Sequence, residues 1–209
     1  LGMLRETQSA SLRYEMRTWS PILLMFAMLL VAISAKAGEI AGTVNLGRDN
    51  SNAAVYIERI QGKTFPAPAQ KPKMDQKQMV FIPHVLPILL GTTVEFHNSD
   101  TVLHNVFSPS PAADKINLGT WAAGIVKTYT FKKPGIVVVL CNVHPEMSAY
   151  IVAVETPFFD VTDKDGKFSI KDVPAGNYTL VVWHEKLRKN MTQSVTVPEK
   201  GSVQAAFSK

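Results

Sequence analysis

From residue 38 onward apolar and polar positions alternate in short runs, and no stretch keeps a helical period. Residues 40–45 and 53–58 read as two short strands joined by a polar turn over 46–52. Residues 61–78 are rich in Pro, Lys and Gln, lack periodicity, and read as a linker or extended lead-in. The β pattern resumes with a strand at 80–82, broken by Pro83 and Pro87, and a strand pair around Gly91 over 88–97. A turn at 98–100 leads to a strand at 103–107, and a Pro-rich loop follows at 108–113. Residues 125–131 alternate. A turn at 133–135 feeds the apolar run 135–140, and 148–155 forms a closing strand.

After Pro157 the rhythm changes. Strands are expected at 158–162, 168–170, 178–183, 192–197 and 203–207, with turns at 163–166 and 173–177. So many short strands with regular turn signals predict an all-β protein built of sandwiches.

The first 37 residues break this pattern and read as a signal peptide. Arg13 and Arg17 precede an apolar run at 22–33, which is too short to span a bilayer. Ala35-Lys36-Ala37 offers a cleavage site, so Gly38 is the expected first mature residue. Met16 would begin a signal of ordinary proportions, which places residues 1–15 upstream of the expected start. Export to the periplasm or medium follows, with no stable membrane insertion once the signal is removed.

Without residues 1–37 the chain holds 18 Lys and Arg against 15 Asp and Glu. The cations are scattered and no nucleic-acid motif is present, so a nucleic-acid partner is not expected. A lone cysteine in an exported chain cannot form an internal disulfide, which leaves a reactive thiol, an intermolecular bridge or a metal ligand.

That cysteine, Cys141, ends an apolar strand and opens a short loop that also holds His144 and Met147. Thiolate, imidazole and thioether are soft and borderline donors, a set that suits copper in both of its common oxidation states. A trigonal site needs a second imidazole, and the candidates are His84, His97, His104 and His184. His104 is the best placed: it lies in a predicted strand, and the 37 residues before Cys141 leave room for the chain to return beside the loop. The candidate ligands are therefore His104, Cys141, His144 and, as a weak axial donor, Met147. Glu146 puts a charge inside the loop without an evident role.

The run 91–100, then His104-Asn105-Val106, then Cys141, His144 and Met147 at successive spacings of three, resemble the cupredoxins over about residues 73–155. The short ligand loop resembles that of the amicyanins more than the longer loops of plastocyanins and pseudoazurins. The resemblance implies a Greek-key β-sandwich, one type 1 copper, and a one-electron carrier that is not an enzyme. It also implies that Asn105 ties its strand to the ligand loop by hydrogen bonds and that His144 is the electron port. Redox partner proteins are implied, with methylamine-type oxidation as one setting. Pro145 and the loop 108–113 are expected to form an apolar docking patch.

Residues 162–170 and 173–180 resemble carboxypeptidase regulatory-like, or carbohydrate-binding-like, modules, whose opening strands resemble 41–44 and 54–57. Residues 38–70 and 156–209 are therefore expected to form one smaller sandwich with the cupredoxin inserted into it, since 54 residues are few for a free-standing β module. Asp163 and Asp165 lack the rest of a calcium loop and read as a plain turn. Trp183 and Tyr178 are expected to fill a core rather than stack on a sugar. Four methionines after residue 37, without a cluster, speak against copper storage or delivery, and the absence of a His-x-His pair speaks against a multicopper oxidase or reductase. A carbohydrate- or partner-docking module with a vestigial metal site is the remaining alternative.

Overall fold

Alternating burial organises the chain into strands in the computed structural model, which describes residues 37–209. The signal-peptide reading and the proposed start lie outside the described residues. Among the described residues sixteen strands and one 3-10 turn, Pro111–Ala113, are present, so the described fold is all-β.

Nine strands form the first sandwich. One sheet runs in the order β5 (Val85–Leu89), β11 (Ser148–Val154), β10 (Gly135–Leu140), β7 (His104–Phe107), β8 (Asn117–Trp121). The facing sheet runs β4 (Val80–Ile82), β3 (Lys73–Lys77), β6 (Thr93–Asn98), β9 (Val126–Thr130). The core follows from period-two side-chain alternation: Val94 and Phe96 of β6 face Val137 and Val139 of β10, with Met74, Phe131 and Ile151 filling the space between. Each such side chain, once fully buried, contributes about 1.5–3 kcal/mol of hydrophobic stabilisation.

The second sandwich draws on both ends of the described chain. β1 (Ala37–Asn45) pairs antiparallel with β13 (Lys167–Pro174) and parallel with β16 (Ser202–Ser208). β2 (Ala54–Ile57) lies between β12 (Phe159–Val161) and β14 (Gly176–Trp183), and β15 (Met191–Val197) completes that sheet. The chain thus leaves this sandwich after β2 and returns to it at β12. Its core is separate, with Ile40, Val55, Ile57, Ile170, Leu180 and Val182 among its members.

β11 joins the two sandwiches. Ala149, Ile151 and Ala153 point into the first core, while Val152 and Val154 point to a seam with Val85 and Ala54. Tyr150, on the same outer face, packs against Trp183 with ring centroids 5.0 Å apart. A strand covered on both faces is apolar nearly throughout, and 149–154 is such a run.

Two strands depart from the sequence reading. β3 lies inside the stretch 61–78 that reads as a linker, because one of its two inward positions is polar, Gln76, and its apolar alternation rests on Met74 alone. β8 is an edge strand with most of its side chains in solvent and Gly119 at φ 76°, so it carries no burial pattern to detect.

Candidate metal centre

β10 delivers Cys141 at its end, and a tight loop closed by the Met147 amide donating to the His144 carbonyl (3.0 Å) carries the next two candidate residues. β7 runs antiparallel beside β10, with Phe107 opposite Leu140. That register sets Asn105 next to the loop. Its amide N–H points at Cys141 Sγ (3.4 Å), and its Oδ1 accepts the Asn142 N–H (3.3 Å). Its Nδ2 donates to the Gly119 carbonyl (2.7 Å) and Asn117 Oδ1 (3.0 Å), which fixes the side chain on β8.

His104 then faces the same point as the loop. Its Nδ1 lies 4.0 Å from Cys141 Sγ and 3.0 Å from His144 Nδ1, and the three donor atoms are all within 4.8 Å of one another. Donors held about 2.0–2.3 Å from one ion have mutual separations on this scale. His104 and Cys141 are buried, and His144 is half-buried. Met147 is buried in the same core cluster as Cys141 and Trp121.

Asp100 sets the state of the His104 ring. Its Oδ2 lies 2.7 Å from Nε2, so the ring proton sits on Nε2 and the Nδ1 lone pair faces the loop. Two imidazole nitrogens 3.0 Å apart repel as lone pairs unless a proton or a cation lies between them. With a sulfur in the same pocket, a soft cation satisfies all three donors, so the residues fit a copper ion. Burial works to raise the Asp100 carboxyl, but the amides of Met79 and Gln78 and the His104 ring outweigh it and hold the group below the usual carboxylate value. Those amides donate at 3.0 Å and 2.6 Å from the β3–β4 turn, where both residues take left-handed φ. Sequence reading assigned Asp100 only to a turn. A carboxylate four residues before a candidate histidine was the available signal.

The other histidines lie elsewhere. His97 meets Glu95 at 3.2 Å on β6. His84 pairs with Glu185 of the second sandwich at 3.1 Å and packs edge-on against Tyr150. His184 is buried just after β14 with Nδ1 accepting the Lys186 N–H at 3.0 Å, and burial pushes its pKa down. Asp163 Oδ1 accepts the amides of Asp165 and Lys167, as a plain turn would. Trp183 lies at the seam rather than inside its own sandwich.

The loop 108–113 does not lie beside Pro145 and His144 as expected. Val138 N–H donates to Ser110 Oγ, and Ala112 crowds Gly135, so the loop covers the start of β10 and not the end that bears Cys141. It lies away from His144 because β7 and β10 run antiparallel. The exposed apolar residues at the metal end are instead Leu103 (54%), Val102 and Val143 (both 45%).

The family model for polysaccharide lyase family 4, domain II, matches residues 158–205. It covers part of the second sandwich and carries a different description from the carboxypeptidase regulatory-like modules that the sequence resembles. A search of curated proteins finds no match. Among solved structures, a reduced amicyanin variant is 20% identical over 41% of this chain and 84% of its own, with a TM-score of 0.39. A purple cupredoxin from Nitrosopumilus maritimus is 21% identical over 40% of this chain and 99% of its own, with a TM-score of 0.36. A copper-containing nitrite reductase from Thermus scotoductus SA-01 is 27% identical over 47% of this chain, which spans only 25% of that enzyme, with a TM-score of 0.40. These structural neighbours are cupredoxins. Each likeness extends over less than half of this chain.

Proposed function

We propose that this protein is an exported type 1 copper protein that carries single electrons between redox partner proteins. The observation that carries the reading is the convergence of one thiolate and two imidazole Nδ1 atoms within 4.8 Å. When bound, copper supplies a one-electron couple at this point. The chain's own residues supply rigidity. Asp100 holds the His104 ring from behind, and Asn105 bonds both the Cys141 sulfur and the loop amide of residue 142. Ligands held this way keep one geometry in both oxidation states. Met147, buried in the same core cluster as Cys141, would offer its thioether as a further, weaker donor.

His144 is the only one of the three clustered side chains that reaches the surface, and we assign it as the electron port. Val102, Leu103 and Val143 give the neighbouring surface an apolar character, which suits the small transient interfaces of redox partners. The buried cysteine and His104 argue against copper storage or delivery, which needs exchangeable ligands, and no substrate site is required, so the protein is not assigned as an enzyme. Residues 73–155 are taken as the copper unit, inserted in a sandwich formed by 38–70 and 156–209. Among the described residues no helix is long and apolar enough to cross a membrane, and a periplasmic or secreted location is proposed.

The test is direct. The purified protein given Cu(II) should develop an intense thiolate-to-copper absorption and a reversible one-electron wave in voltammetry. Cys141→Ser should abolish both. A colourless wild type, or colour that survives in Cys141→Ser, would end the copper reading.

A further inference from the structure

Beside the ligand loop lies an open cleft of about 420 Å³, lined by Val80, Phe81, Ile82, His84, Glu146 and Met147. It shares Met147 and the loop with the metal centre. Its walls, which Ser148 completes, are apolar apart from that hydroxyl and two ionisable groups. The His84 Nε2 is already engaged by Glu185. Glu146 is exposed and has no ion-pair or hydrogen-bond partner among the described residues.

Glu146 stands two residues beyond His144 on the same short loop, so a protein seated over the His144 ring lies next to it. An apolar partner would bury that carboxylate without a counter-charge, and an acidic one would repel it. A basic side chain resolves both problems. Its aliphatic stem lies against Val80, Phe81 and Ile82 while its head meets the carboxylate. We propose that the cleft receives a lysine or arginine of the redox partner and that Glu146 selects for it. This inference rests on the electron-carrier reading above and gives that reading a partner chemistry: an apolar contact face carrying one basic side chain.

The probe is cytochrome c, a basic haem protein. In stopped-flow electron exchange at low ionic strength, Glu146→Gln should lower the second-order rate constant by roughly fivefold, the scale of one contact charge pair in water. Glu146→Lys should lower it further, and high salt should erase the differences. Both variants should keep the wild-type copper absorption. Independently of copper, NMR titration of the metal-free protein with cytochrome c should shift the amides of Ile82, Glu146 and Ser148, and Glu146→Lys should remove these shifts. Equal rate constants for wild type and Glu146→Lys at low salt, or shifts that map to another face, would overturn the proposal. Shifts at the cleft in a protein that never turns blue would retain the docking site and end the copper reading alone.

Discussion

Asp100 shows how much one side chain can organise. Its carboxylate accepts hydrogen bonds from His104 Nε2–H and from the Gln78 and Met79 amides, and so ties a buried imidazole to the turn of a separate hairpin. Asp100→Asn keeps the shape but gives up the charge that holds the ring in one tautomer. Copper affinity, measured by competition with a chelator, should fall by roughly tenfold, the lower end of what outer partners of metal ligands contribute. An unchanged affinity would show that packing alone orients His104. The residues legible in the sequence were those whose signal is local. Cys141, His144 and Met147 sit on one loop at fixed spacing, and His104 followed from the need for a second imidazole. Asp100 was not legible as a partner of His104. Its role depends on where the β3–β4 turn lies in space, which local spacing does not encode. Glu146 was visible as an oddity, and only the cleft beside it suggests a use.

At the scale of elements, strands with one clean apolar face were readable and the others were not. β6 shows the full alternation, with Val94 and Phe96 inward and Thr93, Glu95 and His97 outward. β4 was readable, but β3 and its hairpin to β4 hid in a Lys- and Gln-rich stretch because the turn is made of residues that ordinarily avoid it. Gln78 and Met79 both hold left-handed φ, 55° and 59°, without a glycine. Such a turn suits a two-residue hairpin, but each non-glycine residue in it costs about 1–2 kcal/mol. Asp100 offsets part of that by accepting both amides. Met79 is half exposed and fills no core, so Met79→Gly should remove strain and lose little packing. Its urea midpoint should rise by the equivalent of about 1 kcal/mol. A fall in the midpoint would mean that the methionine side chain makes a contact worth more than the strain.

Across the whole molecule the first and second sandwiches meet through residues that, in the sequence, look like ordinary core. β11 is apolar on both faces, and nothing in its composition tells which face meets which neighbour. Trp183 lies at the end of a strand whose Leu180 and Val182 do fill the second core, yet its ring lies on Tyr150 of the first sandwich. Tyr150 stands three residues after Met147, and its amide donates to the His84 carbonyl at 2.8 Å. His84 in turn pairs with Glu185, next but one to Trp183, so the seam reaches to within a few residues of the ligand loop. The seam should therefore make the two sandwiches unfold together. Trp183→Ala removes its largest aromatic contact at a half-buried position, at a cost of about 3 kcal/mol, the low end for truncating a buried tryptophan. In urea, wild-type circular dichroism, which sees every strand, should share one midpoint with the tryptophan fluorescence, which reports Trp121 in the first core together with Trp183 at the seam. In Trp183→Ala the two midpoints should separate, with the Trp121 signal less affected than the sheet signal, because the second sandwich loses the side chain and the first loses only a neighbour. Coincident midpoints in the variant would show that the backbone crossings between β2 and β3 and between β11 and β12, rather than the aromatic seam, couple the two units.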